Sequence, residues 1–589
     1  MYNGIMEKIR SINMRRLFDE HKKRKVIDLN GKWKFKLDPK NIGREEGWQN
    51  RWENDGETVI VPSCWNNELR LLNYEGDAWY QREFEITEGD ENPDLLFNFD
   101  SVMTNADVWV DGTFMCNHYG AFTGFSFITS VEPGMHTLTV RVDNIFDTYS
   151  FPQRYTDWFN YGGIARDVYF SKLYGISILD NHIVYTLSDD FKSVKVHAEL
   201  ELYNKCDCEA SSILNVTIGE NEIYSGEISL AAKERKIFST PEVTIDNIEI
   251  WDTSSPKLYT VVAKTETDDL IDRVGFRKIE VNGNDIILNG KSIELLGVNR
   301  HEEHPDWGFA FPSKLMKKDL DLILDMNCNT IRGSHYPNSK IFVDMLDEKG
   351  ILFWSEIPMW GVGFSWESLA DPVIINRGLN MHKEMTKQYY NHPCIIIWGM
   401  HNEIDTTKET SLVITKEFYE HLRKHGGNRL ITHASNHPLY DLCMDYDDII
   451  CLNVYYGWYK GGLDVWDKFV VDFKNRLVEK NWFGKPVIMS EFGAAALAGF
   501  HSHFDTVRWS EEYQRDLLEY TIELFHKTEY MRGTYVWQFC NIRTSPSMDI
   551  NRVRYFNNKG IIDENRNPKA AFFKVKELYG KYAEQHQTK

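Results

Sequence analysis

From Arg277 to its end the chain repeats one unit eight times: a short β-branched apolar run followed by an amphipathic helical pattern. The runs lie near 293–303, 330–337, 351–358, 394–404, 430–436, 449–459, 486–495 and 533–542. Near-continuous apolar runs suit strands buried on both faces, and helices between them supply the crossovers that parallel strands need. The first helical stretch places Met316, Leu320, Ile323 and Leu324 on one face, with Ser313 as its expected N-cap. Eight such units predict a closed (β/α)8 TIM barrel over 277–589, with any chemistry where the strands end.

The 589 residues leave room for further domains. From Val26 to about Asp180 the apolar period is two: Trp33, Phe35 and Leu37 alternate with polar residues, as do Tyr80, Phe84 and Ile86, and Leu138, Val140 and Val142. Val108-Trp109-Val110 runs into Asp111-Gly112, a type I′ hairpin signal. A large jelly-roll β-sandwich is expected over 26–180, then an immunoglobulin-like sandwich over 181–276. The first 25 residues form a basic arm, with Lys8, Arg10, Arg15, Arg16 and Lys22 to Lys25, expected to be solvated or partner-contacting. It lacks the apolar core of a secretory signal.

A formal charge of -21 repels polyanions, which argues against nucleic acid or an anionic membrane as partner. No apolar run approaches membrane-spanning length. Nine scattered cysteines suit reduced thiols, and a cytoplasmic location is expected.

Two runs deliver a carboxylate at their exits. Ile395-Ile-Ile-Trp-Gly-Met-His-Asn-Glu403 belongs to the fourth strand and Val487-Ile-Met-Ser-Glu491 to the seventh. Such a pair across one barrel mouth suits retaining glycoside hydrolysis, in which one carboxylate attacks the anomeric carbon and an acid protonates the leaving oxygen. Spacing alone leaves open which does which. A lone glutamate at a strand end is commonly just a solvated residue; two at opposed exits argue for function.

Four stretches then make the chain resemble glycoside hydrolase family 2, and within it the β-glucuronidases: Asn329-Thr-Ile-Arg-Gly-Ser-His-Tyr-Pro337, Asn391-His-Pro-Cys-Ile-Ile-Ile-Trp-Gly-Met-His-Asn-Glu403, Met489-Ser-Glu-Phe-Gly493 and Gly297-Val-Asn-Arg-His-Glu302. The resemblance implies the same jelly roll, immunoglobulin-like sandwich and barrel. It implies Glu403 as acid/base and Glu491 as nucleophile, with no metal or cofactor. Phe556-Asn-Asn-Lys-Gly560 looks like the Asn-x-Lys motif by which these enzymes hold the sugar carboxylate, giving Asn557 and Lys559 that role. An anionic sugar entering an acidic protein needs such a local cation. Asp157, His335, Asn402, Asn453, Tyr455 and Tyr459 match sugar-contacting residues, and Trp537 an aromatic floor. The family's arginine before the motif falls out of register here, leaving Arg552 or Arg554, with Arg552 preferred.

The implied activity is exo-hydrolysis of terminal β-D-glucuronides, small or oligosaccharide, by a homo-oligomer such as the tetramers some relatives form. A β-galacturonidase or dual hexuronidase remains the near alternative, because Lys559 reads the carboxylate and not the C4 hydroxyl; a carbohydrate-binding protein on an inactive barrel is the alternative from another class. The segment 361–372 is shorter than the long active-site loop of some bacterial relatives, implying a more open aglycone site. Gly290-Lys291-Ser292 lacks the first glycine of a P-loop, Gly361-Val362-Gly363 lacks the third of a dinucleotide fingerprint, and His301-Glu-Glu-His304 lacks zinc spacing.

Overall fold

A computed structural model describes residues 15–52, 56–87, 93–154, 156–504, 506–545 and 552–587. Two antiparallel sheets, of six and four strands, pack face to face in the first domain. Trp33, Phe35, Tyr80, Phe84, Leu138, Val140 and Val142 fill the space between them, as the two-residue period requires, while Leu37 packs partly buried against that core. The hairpin forms where expected. Asp111 and Gly112 take φ of 49° and 77° between the paired strands Asn105–Val110 and Thr113–Tyr119.

The strand Ile176–Leu187 runs through the expected boundary at 180/181, and Ile176 and Ile178 already belong to the second sandwich's core. That domain again pairs two antiparallel sheets.

The barrel closes with eight parallel strands: β1 (Leu295–Asn299), β2 (Thr330–Gly333), β3 (Leu352–Glu356), β4 (Ile395–Asn402), β5 (Leu430–Ser435), β6 (Ile450–Asn453), β7 (Val487–Phe492) and β8 (Met531–Val536). β1 pairs β8, so no edge remains open. Each strand falls within or nearly within its predicted run. One detail differs. The helix Ser313–Asp325 starts at Ser313 itself, and Pro312, with extended φ/ψ, occupies the cap position without any side-chain cap bond. Proline's fixed φ suits a helix entrance, and it displaces the expected serine cap by one residue.

Residues 1–14 of the basic arm lie outside the described residues; the rest of it is not a solvated tail. Arg16 donates to both carboxylate oxygens of Asp344, at 2.9 and 3.0 Å, and to Asp272 at 3.2 Å, while Arg24 donates to Asp268 at 2.9 and 2.6 Å. The carboxylate of Asp269 accepts from the backbone N–H of Lys22, Lys23 and Arg24. Burial alone would raise the Asp344 carboxyl, but the Arg16 charge outweighs it and holds that group below its ordinary value. The Leu17 N–H at 3.1 Å and Arg273 at 3.5 Å complete the surroundings of the Asp344 carboxylate. The arm therefore ties the second sandwich to the barrel.

Candidate active site

The strand ends meet around a cavity of about 390 Å³ lined by Asp157, Trp360, Glu403, Asn453, Tyr455, Tyr459, Glu491, Trp537, Arg552 and Lys559 among others. Both expected catalytic glutamates, and the lysine expected to read the substrate charge, therefore face one space.

β4 is buried along its whole length and ends one residue before Glu403. Glu403 then takes φ of +53°, a left-handed conformation uncommon for a side-chain-bearing residue, and its N–H donates to the Ala434 carbonyl at 2.9 Å. Gly361 packs against this corner: a Cβ there would come within 2.2 Å of the Glu403 carbonyl oxygen, so only glycine fits. Asn453 Nδ2 donates to Glu403 Oε1 at 2.8 Å. Burial first, then the charge of Glu491, pushes the Glu403 carboxyl up to about 8, against the Asn453 bond and the Arg332 charge, which pull the other way.

Glu491 is 3% exposed and held by two donors. Arg332 Nη1 reaches its Oε1 at 2.8 Å and the Tyr455 hydroxyl its Oε2 at 2.7 Å. The same guanidinium donates to both oxygens of Glu356, at 3.0 and 2.9 Å, and to Asn299 and Asn402. Burial disfavours the Arg332 cation, but the charges of Glu356 and Glu491 more than offset this and raise its pKa. One fixed cation is thus shared by two carboxylates, Glu356 and Glu491, beside a Glu403 carboxyl that holds its proton at neutral pH.

His335 and Asn402 lie just beneath the cavity, almost fully buried. His335 faces Glu356 through Nδ1 at 2.8 Å and stacks on Trp537, ring centroids 5.0 Å apart. Its Nε2 and the Nδ2 of Asn402 are buried without a hydrogen-bond partner, so each is available to a ligand hydroxyl.

The other end of the cavity is built from charge. Arg552 clamps Asp157 with two bonds, at 2.6 and 2.5 Å, and Asn557 Nδ2 donates to the same carboxylate at 2.9 Å. Burial would raise the Asp157 carboxyl, yet the charges of Arg552 and Lys559 hold it below its ordinary value. Lys559 Nζ donates to the Tyr459 hydroxyl at 2.6 Å. Among the described residues no carboxylate lies within ion-pair distance of Lys559, so a hydroxyl and not an anion satisfies its charge. Arg554 stands half exposed and pairs with Glu564 at 3.1 Å, which leaves Arg552 as the arginine at the cavity. Asn557 is fully buried beside the wall, its amide turned to Asp157 and its Oδ1 accepting from the Lys559 N–H at 3.2 Å; it braces the turn and does not line the cavity.

Sequence reasoning missed Arg332, Glu356 and Trp360. A signal existed for the first two: β3 also exits on a glutamate, and a third strand-end carboxylate calls for a neighbouring cation, which Arg332 at the exit of β2 supplies. Trp360 carried none. The set-aside motifs are turns or paired side chains: Asn289 and Gly290, both with positive φ, join the strands Asp285–Leu288 and Lys291–Ile293; Gly361–Gly363 is a single 3-10 turn; Glu302 binds Ser339 and Glu303 accepts from the Tyr161 hydroxyl. A second cavity, of about 400 Å³, sits where arm, sandwiches and barrel meet, with Arg15, Arg16 and Lys340 against Glu20, Asp100 and Asp272, and holds none of the strand-end pair.

Family models cover nearly the whole chain: the TIM barrel domain of glycosyl hydrolases family 2 over 279–583, that family's sugar binding domain over 26–174, and its middle domain over 176–277. The chain belongs to glycoside hydrolase family 2. It is therefore a glycoside hydrolase. A β-glucuronidase from Paenibacillus borealis is 29% identical over 95% of this chain and 98% of its own length, and the Homo sapiens β-glucuronidase is 28% identical over 96% and 92%. Among solved structures, a β-galacturonidase from Eisenbergiella tayi bound to galacturonate matches with a TM-score of 0.88 and 34% identity, covering 96% of this chain and 99% of its own. A Ruminococcus gnavus β-glucuronidase matches with a TM-score of 0.84 and 27% identity, covering 96% and 99%.

Proposed function

We propose that this family 2 hydrolase is a retaining exo-β-glucuronidase acting on terminal β-D-glucuronides, with Glu491 as nucleophile and Glu403 as acid/base. One observation carries the reading: one cavity is lined by two glutamates, of which Glu403 has its carboxyl raised to about 8, and by a lysine that among the described residues has no carboxylate within ion-pair distance.

In the first half-reaction a Glu491 oxygen attacks the anomeric carbon, the glycosidic C–O bond breaks, and Glu403 gives its proton to the leaving oxygen. Esterification removes the charge of Glu491, the neighbour that helped raise Glu403. The Glu403 pKa then falls, and the same group takes a proton from the water that attacks the anomeric carbon and releases Glu491. Two inversions give net retention. Asn402 Nδ2 and His335 Nε2 are the groups left to meet ring hydroxyls, Trp537 offers a ring face, and Lys559 with Tyr459 and Arg552 receives the sugar carboxylate. A neutral hexoside would leave Lys559 facing a hydroxymethyl group, a mismatch that polar sites penalise strongly.

A second reading has its own support. The β-galacturonidase neighbour shares more identity with this chain than the glucuronidases named above, and none of the contacts to Lys559 distinguishes the C4 epimers. Aryl β-D-glucuronide and aryl β-D-galacturonide, compared by kcat/KM, separate the two: the larger value is expected for the glucuronide. A larger value for the galacturonide would transfer the assignment to the epimer, and sugar binding without turnover of either would leave a binding protein. Cellular location and subunit number stay proposals of the same kind: a cytoplasmic enzyme assembled as a homo-oligomer, tested by fractionation and by light scattering.

A further inference from the structure

A second buried lysine stands behind the turn that carries Lys559. Lys569 is 1% exposed, and its ammonium touches four oxygens: the carbonyls of Ala496 at 2.8 Å, Asn558 at 3.1 Å and Gly560 at 2.7 Å, and Asn541 Oδ1 at 2.9 Å. None belongs to a carboxylate. Asn558 and Gly560 are the two chain neighbours of Lys559, and Ala496 lies on the loop leaving β7, five residues after Glu491. One ammonium therefore links the peptide groups on both sides of the carboxylate-reading lysine to the strand exit that bears the nucleophile.

The turn has no slack elsewhere. A Cβ on Gly560 would lie 2.1 Å from the Asn541 backbone nitrogen, so the turn is pressed against the segment after β8. From the opposite side Gln514 Nε2, on the helix Glu511–Lys527, donates to the carbonyls of Lys559 and Gly560 at 3.1 Å each and to Ala494 at 2.8 Å. Burying a cation among dipoles alone is costly, and burial draws the Lys569 pKa down to about 7.

We propose that Lys569 is a positioning residue for uronide recognition: its ammonium gathers the Asn558 and Gly560 carbonyls and so fixes Lys559 at the sugar-carboxylate end of the cavity. This rests on the uronide reading above. It assigns to Lys569 no contact with substrate and no part in the proton transfers of Glu403.

Two inhibitors that differ at the carboxylate test it: uronic isofagomine, a ligand bound by a Ruminococcus gnavus β-glucuronidase, and its neutral parent isofagomine. Their inhibition constants are measured on the parent enzyme, on Lys569→Met and on Lys569→Gln, the last keeping amide donors in case the methionine variant does not fold. The preference for the uronic compound should fall about tenfold or more in the variants, equivalent to about 1.4 kcal/mol, while isofagomine binds within about twofold of the parent. An unchanged preference would overturn the positioning role. Equal weakening of both compounds would overturn it too, because the whole site and not its carboxylate end would have been disturbed. A parent enzyme without preference for the uronic compound would instead defeat the uronide reading itself, before Lys569 is in question.

Discussion

The two ends of the cavity are built by different means. At the catalytic end every group sits on a barrel strand or within a few residues of its exit: Arg332 on β2, Glu356 on β3, Asn402 and Glu403 at β4, Asn453 on β6 and Glu491 on β7. These groups bind one another, and each strand is paired on both sides, so a hydrogen-bonded cylinder dictates their geometry. At the charged end Asp157 comes from a loop of the first sandwich, Tyr459 from the loop after β6, and Arg552, Asn557 and Lys559 from the segment beyond β8. The Asp157 to Arg552 contact joins residues 395 apart in sequence, across two domains. On the proposed roles, chemistry belongs to the rigid part and sugar choice to an assembly of loops, which can change without disturbing the barrel.

The sharpest way to break this division is to remove one group from each end. Glu491→Ala should abolish turnover of every substrate. Glu403→Ala should lower kcat by about 10²–10⁴ on glycosides with poor leaving groups, yet still form the covalent intermediate from an activated aryl glycoside, and added azide should trap that intermediate as the β-glycosyl azide. Isolation of the α-azide would exchange the two roles. At the other end Lys559→Ala should cost about 10–100-fold in kcat/KM on uronides, the worth of a charge-assisted bond, with far less effect on matching neutral glycosides. Equal losses on both would mean that the charged end also shapes the catalytic one.

The pH dependence sharpens the same contrast with a smaller effect. With Glu403 as the proposed proton donor and its carboxyl pushed up to about 8, kcat/KM should fall as pH rises through about 8, a limb belonging to the coupled pair. Lys559→Ala should leave that limb in place. Stability carries a matching sign: the folded pKa lies above the ordinary 4.5, so folding takes up a proton between these values and the protein loses stability as pH rises through that window. Glu403→Gln removes the penalty, and its Tm advantage should be absent at pH 4 and grow towards pH 8. An advantage independent of pH would place its origin outside the carboxyl.

This division also explains what the sequence could reveal. The eight-fold period locates the barrel because strand and helix periods are local, and an apolar run ending in glutamate locates Glu403 and Glu491 for the same reason. Asp157, Lys559 and Arg552 were reachable only through resemblance, since nothing in local pattern brings residue 157 to residue 552. Position within a motif also did not fix orientation: Asn557 and Lys559 are two apart, yet one braces the turn from behind while the other faces the cavity. Arg332 was hidden because a cation inside a strand reads as an anomaly until its two carboxylate partners are seen together. Ser313 shows the ordinary limit at helix ends, where a boundary read from sequence is good to a residue or two.

The smallest expected effect concerns the mouth. The segment between β3 and the helix Pro372–Tyr389 contains two single 3-10 turns, Gly361–Gly363 and Ser368–Ala370, and Gly361 is locked against the Glu403 corner. Trp360 of this segment lines the cavity, and Gly361 next to it is held at the Glu403 corner, so the segment leaves space for a large leaving group. A glucuronide-capped oligosaccharide should therefore be turned over with kcat/KM within about tenfold of a small aryl glucuronide, since only differential contacts in the transition state separate them. An overwhelming preference for the small substrate would show that other loops close this side. The loop-built half of the site would then extend to the aglycone, and the division drawn here would have to be moved outward from the sugar to the mouth.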